Sequence, residues 1–151
     1  LLLLLAGASS AQSGSGFCSG QPNPTGAAST IASTGSLEVA NNDLTLHCAA
    51  LPQNAFGYFL VSTTSQATFF PSGSSGTLCL GGAIGRYAGS ILTTGATGAV
   101  SMPVDLTALP SPNGSVAALP DDTWFFQFWH RGGSSSGPVS NMTDALRIQF
   151  Q

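Results

Sequence analysis

The chain has 151 residues, the length of a single domain, which is enough to bury roughly two thirds of the surface that the unfolded chain exposes. Its three basic residues are all arginines, and six acids leave a net charge of −3. These numbers argue against a basic surface for nucleic acid, and a surface so poor in charge is typical of extracellular β-rich modules.

The first eleven residues predict export. Five leucines at residues 1–5, followed by small residues up to Ala11, have the pattern of the apolar end of a secretory signal peptide and its cleavage site. Five leucines are too few to cross a bilayer, and no other apolar run in the sequence is long enough to do so. We therefore interpret residues 1–11 as the remnant of a signal peptide, and we expect a secreted protein without an integral membrane segment.

Residues 12–26 follow as an arm rich in Gly, Ser and Pro, and residues 27–151 are expected to form one domain. In this domain, short segments between turn signals alternate apolar and polar residues with period two, as half-buried strands do. The clearest inward-facing sets are Leu44, Leu46 and Cys48; Val100, Met102, Val104 and Leu106; and Leu146, Ile148 and Phe150.

Five of the nine residues of Thr123–Arg131 are aromatic, which favours a strand over a helix. Its alternation assigns Trp124, Phe126, Phe128 and His130 to one face, and Phe125, Gln127, Trp129 and Arg131 to the other. Because the first face is almost wholly aromatic, we expect it at the centre of a core.

The order of these segments predicts the architecture. About seven to nine short strands with turn signals at roughly ten-residue spacing indicate an all-β protein with a single antiparallel β-sandwich. The aromatic strand, a Gly/Ser-rich loop and an alternating terminal strand resemble the final hairpin of immunoglobulin and fibronectin type III modules. We predict a sandwich of that type, and a jelly roll is the alternative.

Three cysteines in an exported chain leave one without a partner. Alternation puts Cys48 on the inward face of its strand, whereas it points Cys79 away from its leucine neighbours, toward the surface that the Cys18 segment can reach. We therefore expect a Cys18–Cys79 disulfide and a buried free thiol at Cys48. The alternative is a Cys48–Cys79 bond, for which Cys79 would have to turn inward.

Residues for catalysis or metal binding show no recognised spacing. The sequence has no nucleophile motif, and its two histidines, His47 and His130, lack the spacing of a metal site. Asp121 and Asp122 are interpreted as a turn rather than as a weak calcium site. We therefore expect no enzyme activity, no metal and no cofactor.

Each of the few arginines is expected to have a carboxylate or a carbonyl partner. For Arg86 and Arg131, the candidate acids are Asp105 and Asp144. Such pairs would hold loops to the sandwich.

The second face of the aromatic strand is a candidate binding surface. Phe125, Gln127, Trp129 and Arg131 would form a platform for a sugar, since rings stack on C–H faces while amide and guanidinium groups bond to hydroxyls. The alternative is a strand buried on both sides, with Phe125 and Trp129 packed beneath the Pro/Gly-rich loops.

Several motifs extend over nearly the whole mature chain: FC at 17–18, PNPTG at 22–26, NNDLTL at 41–46, FGYFL at 56–60, LCLGGAIGRY at 78–87, TWFFQFWHR at 123–131 and SNMTDAL at 140–146. Together they resemble an uncharacterised module in secreted proteins of environmental bacteria, often found at their C-termini. The resemblance supports the Cys18–Cys79 pairing, because the module usually carries both cysteines. It implies no catalytic or ligand-binding residue.

From these features we expect a non-enzymatic extracellular module for surface attachment, assembly or recognition. A carbohydrate-binding module that uses the aromatic strand face is one alternative, and a small secreted hydrolase is another. The expected partners are a cell-surface or polysaccharide ligand, or other domains of a longer secreted protein, and not nucleic acid.

Overall fold

The computed structural model describes residues 13–132 and 139–151, so the predicted signal-peptide remnant at residues 1–11 lies outside the described residues. The strands are β1 (Ser15–Phe17), β2 (Thr30–Thr34), β3 (Thr45–Ala49), β4 (Phe56–Ser62), β5 (Thr64–Phe69), β6 (Thr77–Gly81), β7 (Gly85–Arg86), β8 (Leu92–Thr93), β9 (Val100–Pro103), β10 (Leu109–Ser111), β11 (Gly114–Val116), β12 (Thr123–Arg131) and β13 (Ser140–Gln149). One 3-10 turn covers Val39–Asn41. Within the described ranges, no helix has the length and apolar character needed to span a bilayer.

Two antiparallel sheets form the body of the protein. The main sheet has six strands, in the order β1-β13-β12-β4-β7 with β8 also paired to β4, and the small sheet has the order β2-β3-β9. The small sheet corresponds to strands A-B-E of the immunoglobulin class, and the main sheet contains the order C′-C-F-G in reverse. The predicted antiparallel β-sandwich is therefore confirmed.

The core lies between the two sheets, because each strand there turns alternate side chains inward. All three predicted inward-facing sets are buried, and they pack with the aromatic face of β12 in one continuous cluster. From the main sheet, this cluster includes Phe59, Val61, Trp124, Phe126, Phe128, Leu146 and Ile148. His130, the last member of that face, is also buried.

The hairpin of β5 and β6 covers part of the outer face of the main sheet. Its two strands pair with each other, and β5 is exposed along its whole length while β6 is largely buried. Cys79 and Leu80 of β6 pack with Leu60 of β4 and Ala145 of β13 in a second apolar cluster. The main sheet is consequently covered on both sides where the hairpin lies.

A disulfide fastens the N-terminal arm to this hairpin. The arm contributes β1, which pairs with β13, and Cys18 directly after it is bonded to Cys79, as predicted. Cys48 is free and buried, which is also confirmed. The predicted surface position of Cys79 is wrong. Cys79 is only 1% exposed, because its side chain lies between β6, the main sheet and the arm.

A β-bulge interrupts the pairing of β12 with β13. The register shifts between Gln127 and Trp129, so one more residue is accommodated in β13 than in β12. Next to this shift, Asp144 reaches β2, where its carboxylate accepts a hydrogen bond from Ile31 N at 2.8 Å. At the bulge, Asp144 thus connects β13 of the main sheet to β2 of the small sheet.

The predicted pairs of Arg86 and Arg131 with Asp105 and Asp144 are wrong. Asp144 is used by the backbone of β2, and Asp105 accepts a hydrogen bond from Asn42 Nδ2 at 3.2 Å in an exposed turn. Both acids therefore have uncharged partners, and their positions are set by backbone and turn geometry rather than by the arginines.

Candidate binding site

Gln127 lies at the centre of the outer face of the main sheet and is completely buried. Its Oε1 accepts a hydrogen bond from Cys79 N at 2.9 Å, and its Nε2 donates to Thr77 O and Thr143 O, both at 2.8 Å. The amide therefore joins β6 to β12 and β13. It holds the hairpin on the sheet and has no contact with solvent.

Phe125 lies toward the other end of the same face and is partly buried. Phe17 of the arm packs edge-on against it, with ring centroids 5.4 Å apart and an interplanar angle of 71°. The arm thus covers this part of the face. Of the four residues predicted to form one platform, the structure brings Trp129 and Arg131 together at a separate place.

Trp129 lines a pocket of about 190 Å³ beside the hairpin. Tyr58 of β4 is directly opposite Trp129 in the strand register, and the two rings are tilted by 34° with centroids 5.0 Å apart. Both rings are partly exposed. The apolar side chains that complete the lining are Leu60, Leu78, Ile84 and Met142. We call this cavity the Tyr58–Trp129 pocket.

The loop between β5 and β6 forms one wall of the pocket. Ser75 N donates a hydrogen bond to Ser140 O at 2.8 Å, and Ser140 N donates to Gly73 O at 3.1 Å. The hydroxyl of Ser140 also donates to Gly73 O, at 3.1 Å. Because the loop is tied to the first residue of β13, the wall is part of the folded framework.

Two guanidinium groups lie at this pocket. Arg86 of β7 is paired with Leu60 of β4, which places its side chain on the same face as Tyr58. Arg131 Cζ lies 5.7 Å from the centre of the Trp129 ring, within the range of a cation–π contact. None of the described residues that line the pocket is acidic. The pocket therefore combines a partly exposed aromatic pair with a positive rim.

A polar cluster around His130 lies inside the sandwich. His130 Nε2 is 3.3 Å from Ser29 Oγ, and His130 Nδ1 is 3.1 Å from Arg131 O. Burial lowers the pKa of His130, and the hydrogen bond to the Arg131 carbonyl opposes this shift in part. Asn23 Nδ2 donates to Ser29 Oγ at 2.7 Å. Since Ser29 is 1% exposed and His130 is 0% exposed, this cluster joins the arm and β2 to β12 away from solvent.

A larger groove of about 530 Å³ runs beside the disulfide, between the arm and the hairpin. Its described lining is uncharged and includes Phe17, Gln66 and Phe69. Phe69 and Phe70, at the end of β5, are 68% and 62% exposed. This end of the hairpin therefore offers apolar contact without charged groups.

Sequence reasoning missed Tyr58 and Arg86. The period of β4 pairs Tyr58 with Leu60, but a strand that is apolar on both faces gives no indication of which side stays accessible. Arg86 follows a glycine-rich turn, and its neighbours across the sheet depend on pairing with β4, which the local sequence does not specify.

Among the described residues, no group of three or more His, Cys, Asp or Glu side chains is placed to hold a metal ion. No known protein-family model matches the chain, and neither curated proteins nor solved structures include a significantly similar one. The fold and the site define an all-β sandwich protein with an aromatic, positively rimmed pocket on the outer face of its main sheet. The resemblance to a module of secreted bacterial proteins stays a prediction.

Proposed function

We propose that this chain is a non-enzymatic extracellular recognition module that binds its ligand in the Tyr58–Trp129 pocket. The observation that carries the proposal is the partly exposed aromatic pair beside a wall fixed by backbone hydrogen bonds. Aromatic rings supply a large contact area, and rings held on strands keep their geometry better than rings on loops. Such a site binds a ligand without first having to fold.

Two further observations support the extracellular and non-enzymatic parts of the proposal. The Cys18–Cys79 disulfide belongs to a class of bond that persists in oxidising compartments. The Ser29–His130 contact places a hydroxyl next to an imidazole, as in some catalytic sites. Both side chains are buried, so this contact joins parts of the fold and is not open to a substrate. Recognition of a surface or polysaccharide ligand would give the module its role in attachment or assembly.

The proposal is tested by measuring binding of the purified protein to a panel of soluble polysaccharides, with affinity electrophoresis as the readout. We expect Trp129→Ala to abolish detectable binding. Phe69→Ala is the matched control, because Phe69 is an exposed aromatic residue outside the pocket. Urea unfolding of both variants verifies that they are folded, and product analysis of the same mixtures tests for turnover.

Two results would contradict the proposal. One is a folded Trp129→Ala variant that binds as the wild type does while Phe69→Ala does not, which would place the ligand at the end of the hairpin. The other is release of shortened saccharides by the wild-type protein.

A further inference from the structure

We infer that the ligand of the Tyr58–Trp129 pocket is an acidic saccharide, a uronic-acid unit of a polysaccharide, whose ring packs against the exposed parts of the aromatic pair and whose carboxylate binds Arg86. This inference rests on the proposed function and adds the chemical class of the ligand. It depends on three properties of the pocket: the free guanidinium, the charge distribution around it and the size of the cavity.

Arg86 is the first of these properties. It is exposed, lies in a strand of only two residues and lines the pocket. Among the described residues, its guanidinium has no carboxylate partner, since the two acids expected to pair with the arginines are used elsewhere. A guanidinium presents several N–H donors in one plane and binds a carboxylate through two parallel hydrogen bonds. Arg86 is therefore available to a ligand carboxylate.

The second property is the uniform sign of the charge. The chain has six acids against three arginines, yet the described lining of this pocket includes an arginine and no acid, and a second arginine lies over the Trp129 ring. A positive site on a protein of net charge −3 favours an anionic ligand over a cationic one. Arg131 adds to the positive potential and also limits access to one side of Trp129.

The third property is the match of size and surface. The cavity of about 190 Å³ is smaller than the sites that take drug-sized molecules, which measure roughly 300–1,000 Å³. It therefore accepts one ring at a time, with the rest of a polymer extending over the surface. The C–H groups of a sugar ring pack against the exposed parts of Tyr58 and Trp129, and Ser140 Oγ, whose proton goes to Gly73 O, keeps lone pairs to accept from a sugar hydroxyl.

An exposed aromatic pair and a carboxylate-binding group next to each other favour a uronic acid over an acidic peptide. An acidic peptide side chain would place its carboxylate on the arginine, but its one or two methylene groups offer the aromatic rings much less C–H surface than a sugar ring does. A neutral sugar would use the rings and leave the guanidinium without a partner.

The test compares trigalacturonic acid with the matching neutral galactose trimer and with triglutamate, by isothermal titration. We expect trigalacturonic acid to bind more tightly than the other two. Arg86→Gln is expected to weaken binding of trigalacturonic acid about tenfold, the loss of one charge-assisted contact in a partly exposed site. Arg147→Gln is the control: it makes the same change in net charge at an exposed position outside the pocket, and it is expected to leave the affinity within about twofold.

The outcomes separate this inference from the proposed function. Equal binding of the neutral trimer, with Arg86→Gln as tight as the wild type and Trp129→Ala inactive, would retain the recognition pocket and overturn the acidic ligand. Triglutamate binding as tightly as trigalacturonic acid would also overturn it, in favour of an acidic peptide. Equal losses in Arg86→Gln and Arg147→Gln would show a net-charge effect and overturn the role of Arg86. No binding of any saccharide would contradict the proposed function itself.

Discussion

Replacing Gln127 by leucine tests whether this buried amide holds the hairpin on the main sheet. The change nearly conserves volume, but three buried backbone groups lose their partner: Cys79 N, Thr77 O and Thr143 O. Each unsatisfied group costs about 1–3 kcal/mol, and burial of the apolar side chain offsets part of that sum. We expect the free energy of unfolding to fall by about 3–5 kcal/mol, a large part of the roughly 5–15 kcal/mol typical of a small domain.

The assay is urea denaturation followed by circular dichroism and tryptophan fluorescence. Gln53→Leu is the matched control, because Gln53 is exposed and makes one hydrogen bond, from Nε2 to Ala96 O at 2.8 Å. This control is expected to change stability by less than about 0.5 kcal/mol. A loss of less than about 1 kcal/mol in Gln127→Leu would contradict the role of this amide in holding the hairpin on the sheet. It would mean that the three backbone groups find other partners or that they do not depend on the amide.

Two further predictions concern buried titratable groups. Because burial lowers the pKa of His130 in the folded protein, the unfolded chain binds a proton below about pH 6.5 that the folded chain does not. The free energy of unfolding should therefore fall as the pH is lowered from about 7.5 to about 5.5, a range that spans the ordinary pKa of histidine. In urea denaturation, a His130→Gln variant should show a smaller fall over the same range. An equal fall in both proteins would contradict the prediction. Burial raises the pKa of the Cys48 thiol, so we expect no thiol reaction in the native protein and one reactive thiol per chain in urea, and prompt reaction of the folded protein would be the opposite result.

The sequence predicts best those strands that have one face in the core and the opposite face in solvent. In β3, in β9 and at the C-terminal end of β13 (residues 146–149), burial follows the period of two, so Leu46, Met102 and Ile148 were assignable from their neighbours alone. The same holds for the aromatic face of β12. The Cys18–Cys79 pairing was predicted from the inward position of Cys48, with Cys48–Cys79 as the alternative, but the burial of Cys79 was not, because it depends on how β6 packs on the main sheet.

The candidate site was predictable only in part, because the hairpin of β5 and β6 covers one part of the outer face of the main sheet and leaves another part accessible. A strand pattern shows that Gln127 and Trp129 share a face, but not that a hairpin from elsewhere in the chain covers the first and stops short of the second. Polar Gln127 has the sequence pattern of a surface residue, and its burial depends on backbone groups of β6 and β13 that lie far away along the chain. Arg86 comes to Tyr58 only through the pairing of β7 with β4.

The most direct test of acidic-saccharide binding in the Tyr58–Trp129 pocket is the structure of the protein crystallised with trigalacturonic acid. We expect one sugar ring against the exposed parts of Tyr58 and Trp129, with its carboxylate within hydrogen-bonding distance of the Arg86 guanidinium. A saccharide bound instead in the groove beside the Cys18–Cys79 disulfide, with the Tyr58–Trp129 pocket unchanged, would contradict it.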